Sequence, residues 1–146
     1  MSREIIEKAE RLIQESTMQK YLDGPEPYCV LALIDKEGYP TVSTLTPSKS
    51  EGLNWITFCT GLGSNKVKRI ENCSRASVCF HTDGAYNITL VGKIEIVTDP
   101  DVKQEMWYSG MEHHFDGPDA PGYCVLRFHT ERYNLWVDYK EVQGVL

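Results

Sequence analysis

The sequence predicts a mainly β protein of the α+β class, in which an antiparallel sheet closes into a small barrel and three helices sit around it. Three observations lead there. Six or seven stretches rich in β-branched and aromatic residues follow one another through short turns of Gly, Asp and Pro. Helical periodicity is confined to three segments that interrupt these runs without alternating strictly with them, which disfavours a doubly wound parallel sheet. Strands joined by hairpins would leave exposed edges unless the sheet closed on itself.

The first helix is expected over residues 3–20, where Ile5, Ile6, Ala9, Leu12 and Ile13 recur at helical spacing between charged residues and Ser2 can cap the start. Asp23-Gly24-Pro25-Glu26-Pro27 stops it, because proline lacks the N–H and forces the residue before it to be extended. Tyr28 to Asp35 reads as a strand, Lys36-Glu37-Gly38 as a turn and Thr41 to Leu45 as the returning strand. A second turn near Ser48 to Gly52 leads into a strand over Leu53 to Thr60. After Gly61-Leu62-Gly63 a short helix covers Ser64 to Asn72, with Val67 and Ile70 on its apolar side. Ala76 to His81 and Tyr86 to Val97 are strands around Thr82-Asp83-Gly84. A third helix starts at Asp99-Pro100-Asp101, where proline and acids suit the first turn, and carries Val102, Met106 and Trp107. Gly110 to Gly122 reads as a loop, and Cys124 to Phe128 and Tyr133 to Val137 as two closing strands.

With 146 residues, 41% hydrophobic and 25% charged, the chain has the profile of one soluble domain spanning 1–146, the helix of residues 1–22 packed on the barrel. A domain of this size buries roughly 68–70% of its unfolded surface, so it needs neither a disulfide nor a structural metal. The five cysteines are odd in number and form no C-x-x-C pair, which fits reduced, buried thiols. Fifteen Lys and Arg against 21 Asp and Glu leave a net charge of −6, unsuited to gripping a nucleic-acid backbone. The longest apolar run, Cys29 to Ile34, falls far short of the roughly 20 residues that cross a bilayer. Ser2-Arg3-Glu4 does not open a secretory signal, so a cytoplasmic protein with no membrane partner is expected. Glu112-His113-His114-Phe115-Asp116 lacks the spacing of a tetrahedral metal site, and no metal is expected. There is no G-x-S-x-G, and a hydrolase has no support.

The stretch that carries chemistry is Phe58-Cys59-Thr60-Gly61-Leu62-Gly63-Ser64-Asn65-Lys66, a strand passing through a glycine turn into a helix. Such a turn gathers free backbone N–H groups, the positive end of a helix dipole, the hydroxyls of Thr60 and Ser64 and the Lys66 ammonium around one point. An anion, above all a phosphate, suits that point. The pattern is neither a Walker A loop nor a complete dinucleotide fingerprint, and by motif alone a capped helix with a solvated lysine explains it equally well.

Together with Ile70-Glu71-Asn72-Cys73-Ser74-Arg75-Ala76-Ser77-Val78, this stretch resembles the segment of the pyridoxamine 5'-phosphate oxidase family in which a strand meets an S-x-K turn and a helix ending in Glu-Asn. The similarity continues over residues 28–97, and Phe115 to Pro121 with Leu135-Trp136 is similar to the short general-stress-protein branch of that superfamily. The resemblance implies a split β-barrel that works as a homodimer, with FMN in the groove between subunits. It implies that Thr60, Ser64 and Lys66 hold the FMN phosphate, with Cys59 and Asn65 flanking them. Ser43, Thr44, Leu45 and Thr46 correspond to the strand lining the flavin ring and ribityl chain, and Lys49 to a lysine near the flavin. Asn87 falls where the family's oxidases reach the flavin from the other subunit with a Gln, and Trp136 takes a place at the flavin edge.

This sequence also departs from the family. Ser43 and Asn65 stand where the family carries arginines, so two bidentate phosphate partners are missing and weaker FMN binding is expected. No arginine and histidine segment of the kind that grips the pyridoxine ring in true oxidases follows, so pyridoxamine phosphate oxidation is not expected. The resemblance thus implies an FMN-dependent oxidoreductase acting on an unidentified small molecule. The alternatives are a stress protein that holds flavin without turnover, or a haem or deazaflavin binder of the same fold.

Overall fold

The computed structural model describes residues 2–146. The first helix, α1 (Ser2–Glu15), buries Ile5, Ala9 and Ile13, one stripe at four-residue spacing. It stops five residues earlier than the periodicity predicts. The hydroxyls of Ser16 and Thr17 turn back onto the carbonyls of Leu12 and Gln14, and the amides of Met18 and Gln19 bond to Pro47 and Ser48. These competing partners draw the backbone out of the helix and onto the sheet.

The sheet comprises β1 (Cys29–Ile34), β2 (Pro40–Leu45), β3 (Pro47–Glu51), β4 (Trp55–Gly61), β5 (Arg75–Thr82), β6 (Tyr86–Val97), β7 (Tyr123–Val137) and β8 (Lys140–Val145). Seven strands form one curled antiparallel path, β2-β1-β5-β6-β7-β4-β3, and β8 pairs with the half of β7 that β4 leaves free. The fold is a split barrel of the α+β class. The split is the one the resemblance implies, and the ladder closure suggested by the run of hairpins alone does not form: β2 and β3 are the two ends of the path and no ladder joins them. Only Thr46 separates them, and a single residue cannot form the hairpin loop that would let one strand fold back on the other.

Three further differences have local causes. The segment expected as a turn near Ser48 to Gly52 is β3, in which polar Ser48 and Ser50 are buried and Ser48 Oγ bonds Thr57 Oγ1 at 2.6 Å. The turn falls instead at Glu51–Asn54. The two closing strands are one, β7, continuous through a bulge opposite Val91/Gly92. The hairpin to β8 turns on Asp138 and Tyr139, both at positive φ (53° and 62°) without the Asn-Gly signal that usually marks such a turn.

Inside the curl lies the main core, with Leu31, Phe58, Phe80, Leu90 and Phe128 fully buried and α1 and α2 (Asn65–Asn72) sealing it through Ile13, Val67 and Ile70. Outside β4 and β7, α3 (Pro100–Met106) and the Met111–His113 turn cover a second cluster around Met106, Met111, Tyr123 and Val125. Trp107 belongs there, edge-on to Tyr123 at 5.2 Å, in agreement with its expected core role. No helix among the described residues is long and apolar enough to cross a membrane.

Candidate functional site

At the end of β4 the chain makes the glycine turn and enters α2. Ser64 is the N-cap (φ −71°, ψ 157°), its hydroxyl accepting from Val67 N at 3.3 Å, which leaves its own hydrogen free to donate. The turn is held by Ser64 N–H to Gly61 O (3.0 Å) and by Leu62 N–H to Gly122 O (2.9 Å). Buried Val67 and Ile70 fix the helix, so Lys66 stays on a half-exposed flank. The first-turn amides of Asn65 and Lys66 have no acceptor within the helix. A side chain at Gly63 would meet nothing within 4 Å, so the mouth of the turn is open. Two hydroxyls, these amides and one ammonium form a donor set that fits the phosphate of FMN.

The strand Ser43–Thr46 reaches the same end of the sheet. Pro47 pairs with Phe58, which brings Leu45 and Thr46 to the end where β4 delivers Cys59 and Thr60. Ser43 and Leu45 lie opposite Leu31 and Cys29 on the inward face, and Thr44 lies opposite Val30 on the outward face. The seam between β2 and β3 thus ends beside the glycine turn. Cys59 points away from it: Sγ donates to Met106 O at 3.2 Å and lies 3.4 Å from Tyr123 Oη, and burial pushes the thiol up, so it stays neutral.

Other predicted residues stand elsewhere. Asn87 and Trp136 are direct partners across β6 and β7, and they line a groove of about 570 Å³ with Asp83, Asn134 and Glu141. Asn87 Oδ1 accepts from Thr89 Oγ1 at 3.4 Å, and Asn134 Oδ1 is buried without a partner. On β7, Cys124 faces Thr60 and Trp136 comes twelve residues later, roughly 40 Å along the strand at about 3.3 Å per residue. Lys49 lies in a groove under α1 with Glu7, Glu10 and Trp55, and Asn65 in one with Asp35 and Lys68. One chain therefore joins Ser43–Thr46 to Thr60–Lys66, and Asn87 to Trp136, as two separate groups.

Sequence reasoning passed over the residues that brace the turn. The Phe115 ring lies 3.5 Å from where a Gly61 Cβ would stand. Lys103, buried on α3, donates to Ala120 O at 2.9 Å and lies 5.3 Å from the centre of the Tyr123 ring, whose hydroxyl donates to Lys103 O. A lysine within an otherwise apolar helix stripe was the available signal. Asn134 was equally legible as the outward residue two before Trp136.

A family model described as pyridoxamine 5'-phosphate oxidase matches residues 15–137. General stress protein 26 of Bacillus subtilis is 25% identical over 118 residues, 73% of this chain and 84% of the relative. A solved protein related to it, from Clostridium acetobutylicum, superposes with a TM-score of 0.80 at 24% identity, covering 100% of this chain and 96% of that one. An FMN-binding protein related to pyridoxamine 5'-phosphate oxidase, from Nostoc punctiforme, gives 0.63 at 16% identity over 82% of this chain and 86% of its own. A haem-binding protein from Mycobacterium smegmatis gives 0.71 at 17% identity, over 97% of this chain and 57% of its own.

Proposed function

The chain belongs to the pyridoxamine 5'-phosphate oxidase family, and from that premise we propose that it is an FMN-binding flavoprotein, an oxidoreductase acting on a small molecule at a site shared by two copies of the chain. The observation that carries this reading is the donor cluster at Thr60–Lys66 opening beside the end of the β2/β3 seam. Ser64 and Thr60 donate hydroxyl hydrogens to the phosphate, the Asn65 and Lys66 amides and the Lys66 ammonium add charge-assisted donors, and Ser43–Thr46 flank the ring. Bound flavin supplies the redox chemistry, and the chain supplies anchoring, orientation and a pocket.

The separation of the two groups supports a second copy at the site. Asn87 and Trp136 sit at the far end of β7 from the phosphate turn, so they reach a flavin bound there from another chain. The outward face of β2 leaves apolar surface for that contact, Val42 being 69% exposed.

The test is the visible spectrum of protein incubated with FMN and desalted, followed by titration of the Lys66→Ala variant. Retained oxidised-flavin absorbance is expected, with the variant losing roughly 1.5–3 kcal/mol of FMN binding, the range for hydrogen bonds to charged groups. An unchanged dissociation constant removes the phosphate assignment. A Soret band in protein purified from cells, in place of flavin absorbance, replaces FMN with haem as the ligand. Retained flavin that no nicotinamide nucleotide reduces leaves a flavin-binding stress protein.

A further inference from the structure

A second groove, about 530 Å³, opens on the outward face of the sheet where β1, β5, β6 and β7 lie side by side. Arg75 and Lys93 face each other directly across β5 and β6, a like-charged cross-strand pair that is unfavourable unless something neutralises it. Arg132 joins them from β7 because of the bulge. Thr130 pairs with Gly92 and Arg132 with Val91, so Glu131 is the extra residue and the alternation slips by one there. Thr130 is buried, and without the slip Arg132, two residues on, would point inward as Thr130 does. Gly92 permits this crossing, since a Cβ there would collide with the His129 carbonyl oxygen.

Three cations are thus aimed into one groove of a chain whose net charge is −6. None of them is in an ion pair among the described residues, and the nearby Glu95 is already taken by His129. Glu131 is the one carboxylate in the lining, which leaves a surplus of two positive charges. Ala32 and Val91 supply an apolar floor. Arg75 stands ten residues beyond Asn65, past the far end of α2, so this groove is distinct from the phosphate turn at Ser64–Lys66.

We propose that this groove is a binding site for a small organic dianion, a phosphomonoester or a dicarboxylate, whose charged end meets Arg75, Lys93 and Arg132 while its apolar body lies on Ala32 and Val91. It does not depend on the flavin assignment. The test is calorimetric titration with phenyl phosphate and with phthalate, on protein saturated with FMN, on Lys66→Ala, and on the single variants Lys93→Gln and Arg132→Gln. Saturable binding of at least one probe is expected, retained in Lys66→Ala and weakened about tenfold or more in each groove variant, as befits loss of a charge-assisted bond. The tighter probe identifies the headgroup. Absence of saturable heat at millimolar probe, or equal affinity in the groove variants, overturns the site. So does a loss of dimer mass in Lys93→Gln and Arg132→Gln without probe binding to the parent protein, which assigns the cations to carboxylates of a second copy.

Discussion

At the scale of single residues, the placement of Ser64 and Lys66 at the glycine turn was legible because a serine before a helix start is a natural cap and a lysine beside an apolar stripe stays on the flank. Ser64 caps, and Lys66 stays half-exposed on the flank of a helix held by Val67 and Ile70. Cys59 was not legible, because one step of strand alternation decides whether a side chain faces the seam or α3. The thiols carry a pH prediction. Burial holds the Cys124 thiol at about 11 against an ordinary value of 9.0, and the nearby Lys103 ammonium only partly offsets it. The folded state therefore keeps its proton longer than the unfolded chain. The stabilising contribution is complete below about pH 9 and is lost as pH rises towards 11. The urea midpoint is expected to fall across that window, and to fall less in Cys124→Ala after allowance for the lost packing; a parallel decline in both proteins would rule the thiol out.

Among the elements, long periodic segments and apolar strands were read correctly, and polar ones were not. β3 escaped notice because its buried side chains include two serines, of which Ser48 bonds Thr57, and not a run of hydrophobes. β8 escaped because its turn uses Asp138 and Tyr139 at positive φ, where sequence patterns look for Asn and Gly. That turn is strained, since the left-handed region costs a non-glycine residue roughly 1–2 kcal/mol. Tyr139→Gly relieves the strain but gives up the edge contact with Trp136 at 5.6 Å. The net expectation is a gain of about 0.5–1 kcal/mol, read as a higher thermal midpoint. A lower midpoint would mean that the aromatic contact outweighs the backbone term. The end of α1 was missed for another reason, because Met18 and Gln19 bond to β3, a partner invisible in local sequence.

For the whole molecule, the split barrel was legible through the family resemblance, but the order of strands was not, because pairings such as β1 with β5 and β4 with β7 join segments far apart in the chain. The separation of Asn87 and Trp136 from the phosphate turn likewise appears only once the register of β7 is known. A shared site makes a distinctive prediction about mixtures. Lys66→Ala chains and Asn87→Ala chains, each weak in FMN binding alone, are unfolded together, refolded and titrated. In a two-fold dimer, mixed pairs hold one site with both residues intact, so about one quarter of all sites recovers parental affinity. Additive weak binding with no recovered class of sites would mean that both residues serve the same chain's flavin, or that Asn87 serves none.

The split also bears on how the protein survives at high concentration. An open barrel offers two strand edges with unpaired backbone groups, the usual template for a foreign strand to add itself and begin a fibril. The two strands that flank the split, β2 and β3, begin with proline, at Pro40 and Pro47, which cannot donate to an incoming ladder. The Pro47 and Ser48 carbonyls of β3 are already occupied by Met18 and Gln19. The split is thus kept closed to intruding chains.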